Sequence, residues 1–360
     1  MKQYTKLFSP YTLGTLQLKN RIVMAPMTRS RAIDNIPNEL MAQHYADRAE
    51  AGLIITEGVS PSPNGLGYSR IPGAYSDEQA KGWKAVADAV HARDGKIFMQ
   101  LMHTGRVSHP LNMPEGGKVV GVSPIAATGD MWTDTQGMQP MPSPEEIPAN
   151  EIDNLIAEYV HSAQAAIAAG FDGIEIHSAN GYLPMQFLSP ASNQRSDKYG
   201  GSHENRNRFV LELAAAITAA IGKDKVGIRL SPFNKFNSME PDEQEEAQYI
   251  ALTTGLKEIG LAYMHLLTFA MPATLLADMH TAFGGPFILN GGYIADRAEA
   301  DLEAGKGELI SFGSSFIPNP DLVQRIQKGQ ELAKPDQSTF YTPGEKGYND
   351  YPTFAQEFFR

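Results

Sequence analysis

Two kinds of segment alternate along this chain, and that alternation constrains the fold more than any other feature. Short apolar, β-rich runs recur at "RIVMAPM" (21–27), "LIITEGVS" (53–60), "KIFMQLM" (96–102), "FDGIEIHS" (171–178), "VGIRLSP" (226–232), "YMHLLT" (263–268), "FILNGG" (287–292) and "ELISFGS" (308–314). Near-continuous apolar runs of this length suit parallel strands buried on both faces. Between them lie helical patterns closed by glycine, at 77–95, 149–170, 203–222 and 243–260. Roughly eight strand–helix pairs in 360 residues predict one (βα)8 TIM barrel spanning 1–360. A doubly wound sheet would show the same alternation, but no G-x-G-x-x-G follows the first strand and no linker divides the chain. "SPYTLGTLQLKN" (9–20) reads as an N-terminal hairpin capping the barrel bottom, and 104–149, rich in Pro, Gly and Met, as a long loop after the third strand. Loops of that length in compact folds are usually functional.

Composition narrows the function. With 42% hydrophobic and 20% charged residues the chain is neither disordered nor fibrous. A net charge of -11 argues against nucleic acid or an anionic membrane as partner. There is no cysteine, which removes disulfides, thiol catalysis and thiolate metal sites. The opening "MKQYTKLFSPYTLG" has no apolar core of a signal peptide, and "LAAAITAAIG" (213–222) is too short to span a bilayer, so a cytoplasmic protein is expected.

In a barrel the active site lies at the C-terminal strand ends. The polar and turn residues there are Pro26 and Thr28, Glu57 and Gly58, Gln100 and His103, His177, Asn180 and Tyr182, Arg229, Asn290, Gly291 and Gly292, and Gly313 and Ser314. Two opposed acids for glycoside hydrolysis are lacking, as is a His/Asp/Glu cluster for a metal, so no metal is expected. Amide, guanidinium and imidazole groups with two late glycine turns suit a flat heterocycle with a phosphate tail seated on backbone N–H groups. Taken singly, each residue has a plainer reading: a structural histidine, a packing tyrosine, polar barrel-interior groups, simple barrel corners. Glu175 shares strand parity with His177 and so points inward, where it reads as a buried ion-pair or hydrogen-bond partner, with Arg229 the candidate. His103 and His109 read as loop-structural.

"FSPYTLGTLQLKNRIVMAPMTRSRA", "MQLMHTGRVSHP", "HSANGYLPMQFLSPASNQRSDKYGGSHENRNRF" and "NGGY…FGSSFIPNPDL" stand in the order found in the old yellow enzyme family, and the resemblance covers essentially the whole chain. It implies an FMN-dependent ene-reductase driven by NAD(P)H, acting on enones and nitro compounds and binding phenolic ligands, as a monomer or homodimer. It assigns His177 and Asn180 to the carbonyl oxygen of a bound enone and Tyr182 to proton donation. It places Thr28 at the flavin carbonyl nearest the hydride-accepting nitrogen, with Pro26, Met27, Gly58, Gln100 and Arg229 at the ring. Gly291, Gly292, Gly313 and Ser314 surround the phosphate, and Asn290 and Phe312 also fall among the cofactor-binding residues. Tyr68, Met102 and Tyr351 fall around the substrate, Tyr351 folding back from the C-terminal "GYNDYP". Three positions depart from the family pattern. Asn180 stands where several members carry a second histidine, Met102 where many carry tryptophan, and Ser314 where an arginine usually clamps the phosphate.

The implied chemistry agrees with the residue types. Hydride addition to an enone β-carbon builds negative charge on the oxygen, which two neutral, preorganised donors stabilise. A phenol can protonate the α-carbon without being ionised at neutral pH. A non-catalytic barrel that sequesters flavin, a phenol or a carbonyl compound remains the alternative.

Overall fold

The computed structural model describes residues 3–357. All eight apolar runs form strands: β1 (Ile22–Met24), β2 (Leu53–Val59), β3 (Ile97–Leu101), β4 (Gly173–Ser178), β5 (Val226–Leu230), β6 (Tyr263–Leu267), β7 (Phe287–Asn290) and β8 (Leu309–Phe312). Each pairs in parallel with its neighbours in the chain, and β8 pairs with β1, closing the barrel. Around it run α1 (Glu39–Ala46), α2 (Asp77–His91), α3 (Ile152–Ala168), α4 (Leu183–Leu188), α5 (His203–Ile221), α6 (Glu245–Ile259), α7 (Ala273–Phe283), α8 (Ala295–Glu303) and α9 (Leu322–Lys328). α2 illustrates why these segments are helical. Ser76 and Gln79 form a reciprocal capping box, and Trp83, Val86 and Val90 recur on the buried face. The sequence patterns locate α2, α3, α5 and α6; the shorter α1, α4, α7, α8 and α9 offer too few turns for a clear period.

The barrel interior is layered. At the bottom, Val23, Leu53, Ile55, Phe98, Tyr263, Ile288 and Leu309 pack onto Leu13 and Leu18 of the antiparallel hairpin formed by Tyr11–Leu13 and Leu16–Leu18. The hairpin therefore plugs the barrel as the sequence suggests. Above that apolar layer the inward residues become polar: Gln100, Glu175, His265 and Ser311 are all buried. Period-two alternation along each strand sends its other residues outward to the helices.

The 104–149 segment carries structure that its composition conceals. Asp130–Thr133 pairs antiparallel with Gly137–Pro140, and Val120–Gly121 pairs with Glu145–Glu146. The four-residue strands are too short for alternation to register.

The chain after α9 returns to the barrel top and is held there by two buried arginines that directly follow the first strand end. Arg31 donates to the carbonyls of Thr339, Phe340, Gly344 and Lys346, and Arg29 to those of Phe340 and Gly347. Tyr348 lies under both guanidiniums and stacks on His44 at 3.9 Å. The carboxylate in this cluster is Glu57, which accepts from the Arg29 N–H and the Tyr45 hydroxyl, both at 3.3 Å.

Burial pushes the Glu57 carboxyl up to about 7, against an ordinary 4.5, and the Arg29 N–H and charge offset part of that. A carboxyl raised in the fold contributes stability below its unfolded pKa and loses it as pH climbs through the folded one. Wild-type stability should therefore fall relative to Glu57→Gln between pH 4.5 and 7, by about 3 kcal/mol at most. Thermal unfolding at pH 5 and pH 8 tests this; an equal gap at both pH values would show the carboxylate is not penalised.

Candidate active site

At the end of β4 the chain turns sharply. His177 is the last inward-facing residue of the strand and sits beside Arg229 of β5 in register. Asn180 adopts a left-handed conformation with φ of 57°, and Gly181 follows at 74°. A side chain at Gly181 would meet the Asn237 Cβ at 2.7 Å and the Phe236 carbonyl at 2.8 Å, so only glycine fits. This bend brings Tyr182 back over His177, their rings edge to face at 4.8 Å.

These side chains line a cavity of about 1080 Å³ at the C-terminal mouth of the barrel. Of the residues singled out from the sequence, Pro26, Thr28, Gly58, Tyr68, Gln100, Met102, His177, Asn180, Tyr182 and Arg229 face it. Met102 packs against Gly58, where a Cβ would meet the Met102 sulfur at 2.4 Å, so the missing side chain makes room for the thioether. The Tyr68 and Tyr182 hydroxyls are 2.9 Å apart.

Met27, Asn290, Gly291, Gly292, Phe312, Gly313 and Ser314 do not line that cavity. They gather at the adjacent ends of β1, β7 and β8. Gly291 and Gly292 have φ of 157° and 65°, and a side chain at Gly292 would meet open space. A Cβ on Gly313 would touch the Met27 sulfur at 3.8 Å. Ser314 opens a short 3-10 turn, Ser314–Phe316, whose first N–H groups have no partner within the turn. The Phe312 side chain is buried in the core between barrel and helices, so it offers only its backbone to this end of the site.

Tyr351 is a correction. It lies in a separate cleft with Asp47, Arg93 and Asp321, and its hydroxyl accepts the Asp336 N–H at 2.9 Å. The aromatic that the C-terminal segment brings to the cavity is Tyr341. The arginine clamp decides this, because it fixes 339–347 across the mouth and carries Tyr351 beyond it.

Below the cavity floor runs a polar network in which the sequence reading found only some of the members. Glu175 accepts from Gln100 Nε2 at 2.7 Å, the Tyr263 hydroxyl at 3.1 Å and His265 Nδ1 at 2.9 Å. His265 Nε2 meets the Ser311 hydroxyl at 2.8 Å. Asn290 Nδ2 donates to Ser311 Oγ at 2.9 Å, and Arg229 donates to Asn290 Oδ1 at 3.1 Å. Glu175 is thus a buried partner, but its direct bonds go to Gln100, Tyr263 and His265, and Arg229 acts on it through charge. His265 and Ser311 share inward parity with Glu175. A polar residue on the inward register of an apolar run was the available signal.

Burial alone would raise the Glu175 carboxyl; the His265 ring and its hydrogen bond, then Arg229 and Gln100, outweigh burial and hold it below its ordinary value. Burial depresses His265. A neutral imidazole that donates from Nδ1 and accepts at Nε2 satisfies both neighbours. Burial and the Arg229 charge also push His177 well below its ordinary value, and burial raises the Tyr182 phenol well above its own. The cavity therefore presents a neutral imidazole, an amide and a protonated phenol at neutral pH. His103 and His109 serve their loops, each accepting a backbone N–H two residues on, from Gly105 and Leu111. Among the described residues no group of three or more His, Asp or Glu could hold a metal, and no helix is long and apolar enough to cross a membrane.

A barrel whose mouth joins neutral donors to a buried guanidinium and paired glycine turns suits a flat heterocycle with a phosphate tail. The model of the NADH:flavin oxidoreductase / NADH oxidase family matches residues 6–333, and the chain belongs to that family, the old yellow enzymes. It is 41% identical over 359 residues to a probable flavin mononucleotide-dependent alkene reductase of Leishmania infantum, covering 98% of both chains. It is 39% identical to 12-oxophytodienoate reductase 7 of Oryza sativa subsp. japonica, covering 97% of this chain and 95% of that one. Morphinone reductase in complex with tetrahydroNAD superposes with a TM-score of 0.93 at 43% identity over 97% of each chain. The protein is accordingly an FMN-dependent, NAD(P)H-using oxidoreductase.

The residues fit that cofactor. Arg229 Nε and His177 Nδ1 are buried and meet no hydrogen-bond partner among the described residues. Gln100 commits one N–H to Glu175 and keeps its oxygen and second N–H for a ring edge, so it offers an acceptor as well as a donor.

The network predicts its own weak point. Glu175→Ala leaves Arg229 buried beside no carboxylate and should destabilise the protein by about 3–5 kcal/mol, with Glu175→Gln milder. Chemical unfolding monitored by fluorescence checks this; a loss under about 1 kcal/mol for the alanine variant would show the charge is met elsewhere.

Proposed function

We propose that this protein reduces the activated C=C bond of α,β-unsaturated carbonyl and nitro compounds. The observation that carries the reading is the neutral pair His177 and Asn180 facing one cavity with the Tyr182 hydroxyl. His177 and Asn180 bind the substrate oxygen and stabilise the negative charge that develops on it. They achieve this without being cations, because burial and Arg229 keep His177 neutral. Tyr182, held protonated by burial, delivers a proton to the α-carbon. Tyr68, Met102 and the clamped C-terminal segment shape the space for the substrate and exclude water.

Pro26, Met27, Thr28, Gly58, Gln100 and Arg229 would hold the FMN ring, and Asn290, Gly291, Gly292, Phe312, Gly313 and Ser314 its phosphate end. Thr28 meets no side-chain partner among the described residues, which leaves its hydroxyl for the ring. Bound FMN, once reduced by NAD(P)H, supplies the hydride. The alkene reductase and 12-oxophytodienoate reductase named above support the reading at 41% and 39% identity.

Anaerobic titration tests it. NAD(P)H should bleach the yellow protein and a cyclic enone should restore the colour; bleaching without recolouring by any enone or nitroalkene would indicate a flavin-binding barrel. His177→Ala and Asn180→Ala should each weaken phenol binding and cost about 2–4 kcal/mol of transition-state stabilisation in enone reduction, with flavin retained.

Tyr182→Phe should separate the half-reactions. Reduction by NAD(P)H needs no proton on a substrate carbon and should persist. Recolouring by cyclic enones should slow about 10²–10⁴-fold, while nitroalkenes, whose nitronates are stable, recolour the protein nearly as before. Stopped-flow traces with both halves slowed equally, or neither, would make Tyr182 a packing residue.

A further inference from the structure

The loop that follows β5 holds Asn180 from three sides. Ser231 Oγ accepts the Asn180 N–H at 2.8 Å, Asn237 Nδ2 donates to the Asn180 carbonyl at 2.8 Å, and Asn234 Nδ2 donates to Asn180 Oδ1 at 2.9 Å. The first two fix the left-handed backbone. The third does something a backbone contact cannot, because it chooses between the two ends of a side-chain amide.

A carboxamide is nearly symmetric in shape but opposite in chemistry at its two ends, one an acceptor and the other a double donor. Asn180 could therefore present either end to a substrate oxygen, and only one binds it. The choice is traceable to a group that cannot flip. The backbone N–H of Phe236 must donate, and it donates to Asn234 Oδ1 at 3.1 Å. That bond turns Asn234 so that its Nδ2 faces Asn180. A donor there requires the Asn180 oxygen opposite it, which leaves Asn180 Nδ2 toward the cavity, where it meets no acceptor among the described residues.

We infer that Asn234 is a positioning residue that sets the polarity of the oxygen-binding pair, through the ordered chain Phe236 N–H, Asn234 amide, Asn180 amide. This rests on the role proposed above for Asn180 and adds what fixes it. Asn234 touches no reacting atom; it converts an amide that could point either way into a preorganised donor. The chain lies outside the strand that carries His177, so the donor pair comes from β4 and the loop after it, while the loop after β5 orients its Asn180 half.

The test uses the flavin-loaded protein and phenol as the probe, read by the change it causes in the flavin spectrum. Asn234→Asp keeps an acceptor for Phe236 N–H but places a second acceptor against Asn180, so the Asn180 amide turns its oxygen into the cavity. Phenol affinity should fall about 10- to 100-fold, and the apparent pKa of bound phenol should rise, since an acceptor facing the oxygen favours the neutral phenol. Asn234→Ala frees the amide to turn either way and should give a smaller loss in the same direction. The added charge in Asn234→Asp is controlled by repeating both substitutions on Asn180→Ala, where they should cost markedly less, the difference being the coupling. Retained flavin absorbance shows the variants fold. Equal losses with and without the Asn180 side chain, or an unmoved phenol pKa in Asn234→Asp, would overturn the inference while leaving Asn180 as an oxygen ligand. A wild type in which phenol leaves the flavin spectrum unchanged would overturn both.

Discussion

The carboxylate of Glu175 is the group on which the rest of the barrel top depends. It is buried, it is charged, and such a group persists only where donors converge on it. Three side chains do so from two other strands: Gln100 on β3, and Tyr263 and His265 on β6. The bonds continue through Ser311 and Asn290 to Arg229, so β3 to β8 are tied by side chains as well as by their ladders, with β1 and β2 outside this ring. The network lies between the apolar plug closed by Leu13 and Leu18 and the open cavity. It therefore serves as the floor on which any ligand rests. Its internal charge balance is one carboxylate against one guanidinium with a neutral imidazole between them, which leaves Arg229 cationic yet neutralised from below.

That balance bears on the chemistry above. Burial lowers the proton affinity of the His177 ring, and the Arg229 cation beside it acts in the same direction. The strand register that sets Arg229 beside His177 therefore also makes His177 a neutral donor. Tyr182, pushed the opposite way by burial and by the neighbouring Tyr68 hydroxyl, keeps its proton. The imidazole and phenol, packed edge to face, are thus tuned by the same desolvation toward their uncharged forms, one by losing a proton and the other by keeping it.

The sequence made much of this legible and left a definite part hidden. Eight strands stood out because parallel barrel strands are apolar on both faces, and the hairpin plug because its turn interrupts alternating residues ahead of β1. His177, Asn180, Tyr182, Gln100 and Arg229 were visible because polar residues at strand ends contrast with the runs before them. His265 and Ser311 were missed because they lie inside such runs, where one polar residue among apolar ones draws little notice without the register. Tyr351 was misplaced for a different reason. A segment without regular structure goes where its backbone is bonded, and the arginines that bond it, Arg29 and Arg31, sit some 310 residues earlier in the chain. No local pattern encodes that contact.

Those arginines also explain how the mouth is built. They follow Thr28 in the segment that leaves β1, so the same few residues contribute Thr28 to the cavity and anchor 339–347 across it. Arg70 repeats the device on the next loop: its guanidinium bonds the carbonyls of Ser30 and Tyr341 and pairs with Asp134 in the turn that joins Asp130–Thr133 to Gly137–Pro140. Three segments distant in sequence are thereby joined around the opening by guanidinium groups, which suit the task because each offers up to five donors in a fixed plane. Main-chain carbonyls are the acceptors in most of these bonds, so the rim is specified by backbone position and tolerates change in the side chains of 339–347 that face the ligand. A barrel with a rigid floor and a rim fastened this way can vary what it admits, at Tyr341, Trp132 or Met138, without disturbing the strand-end residues His177, Asn180 and Tyr182.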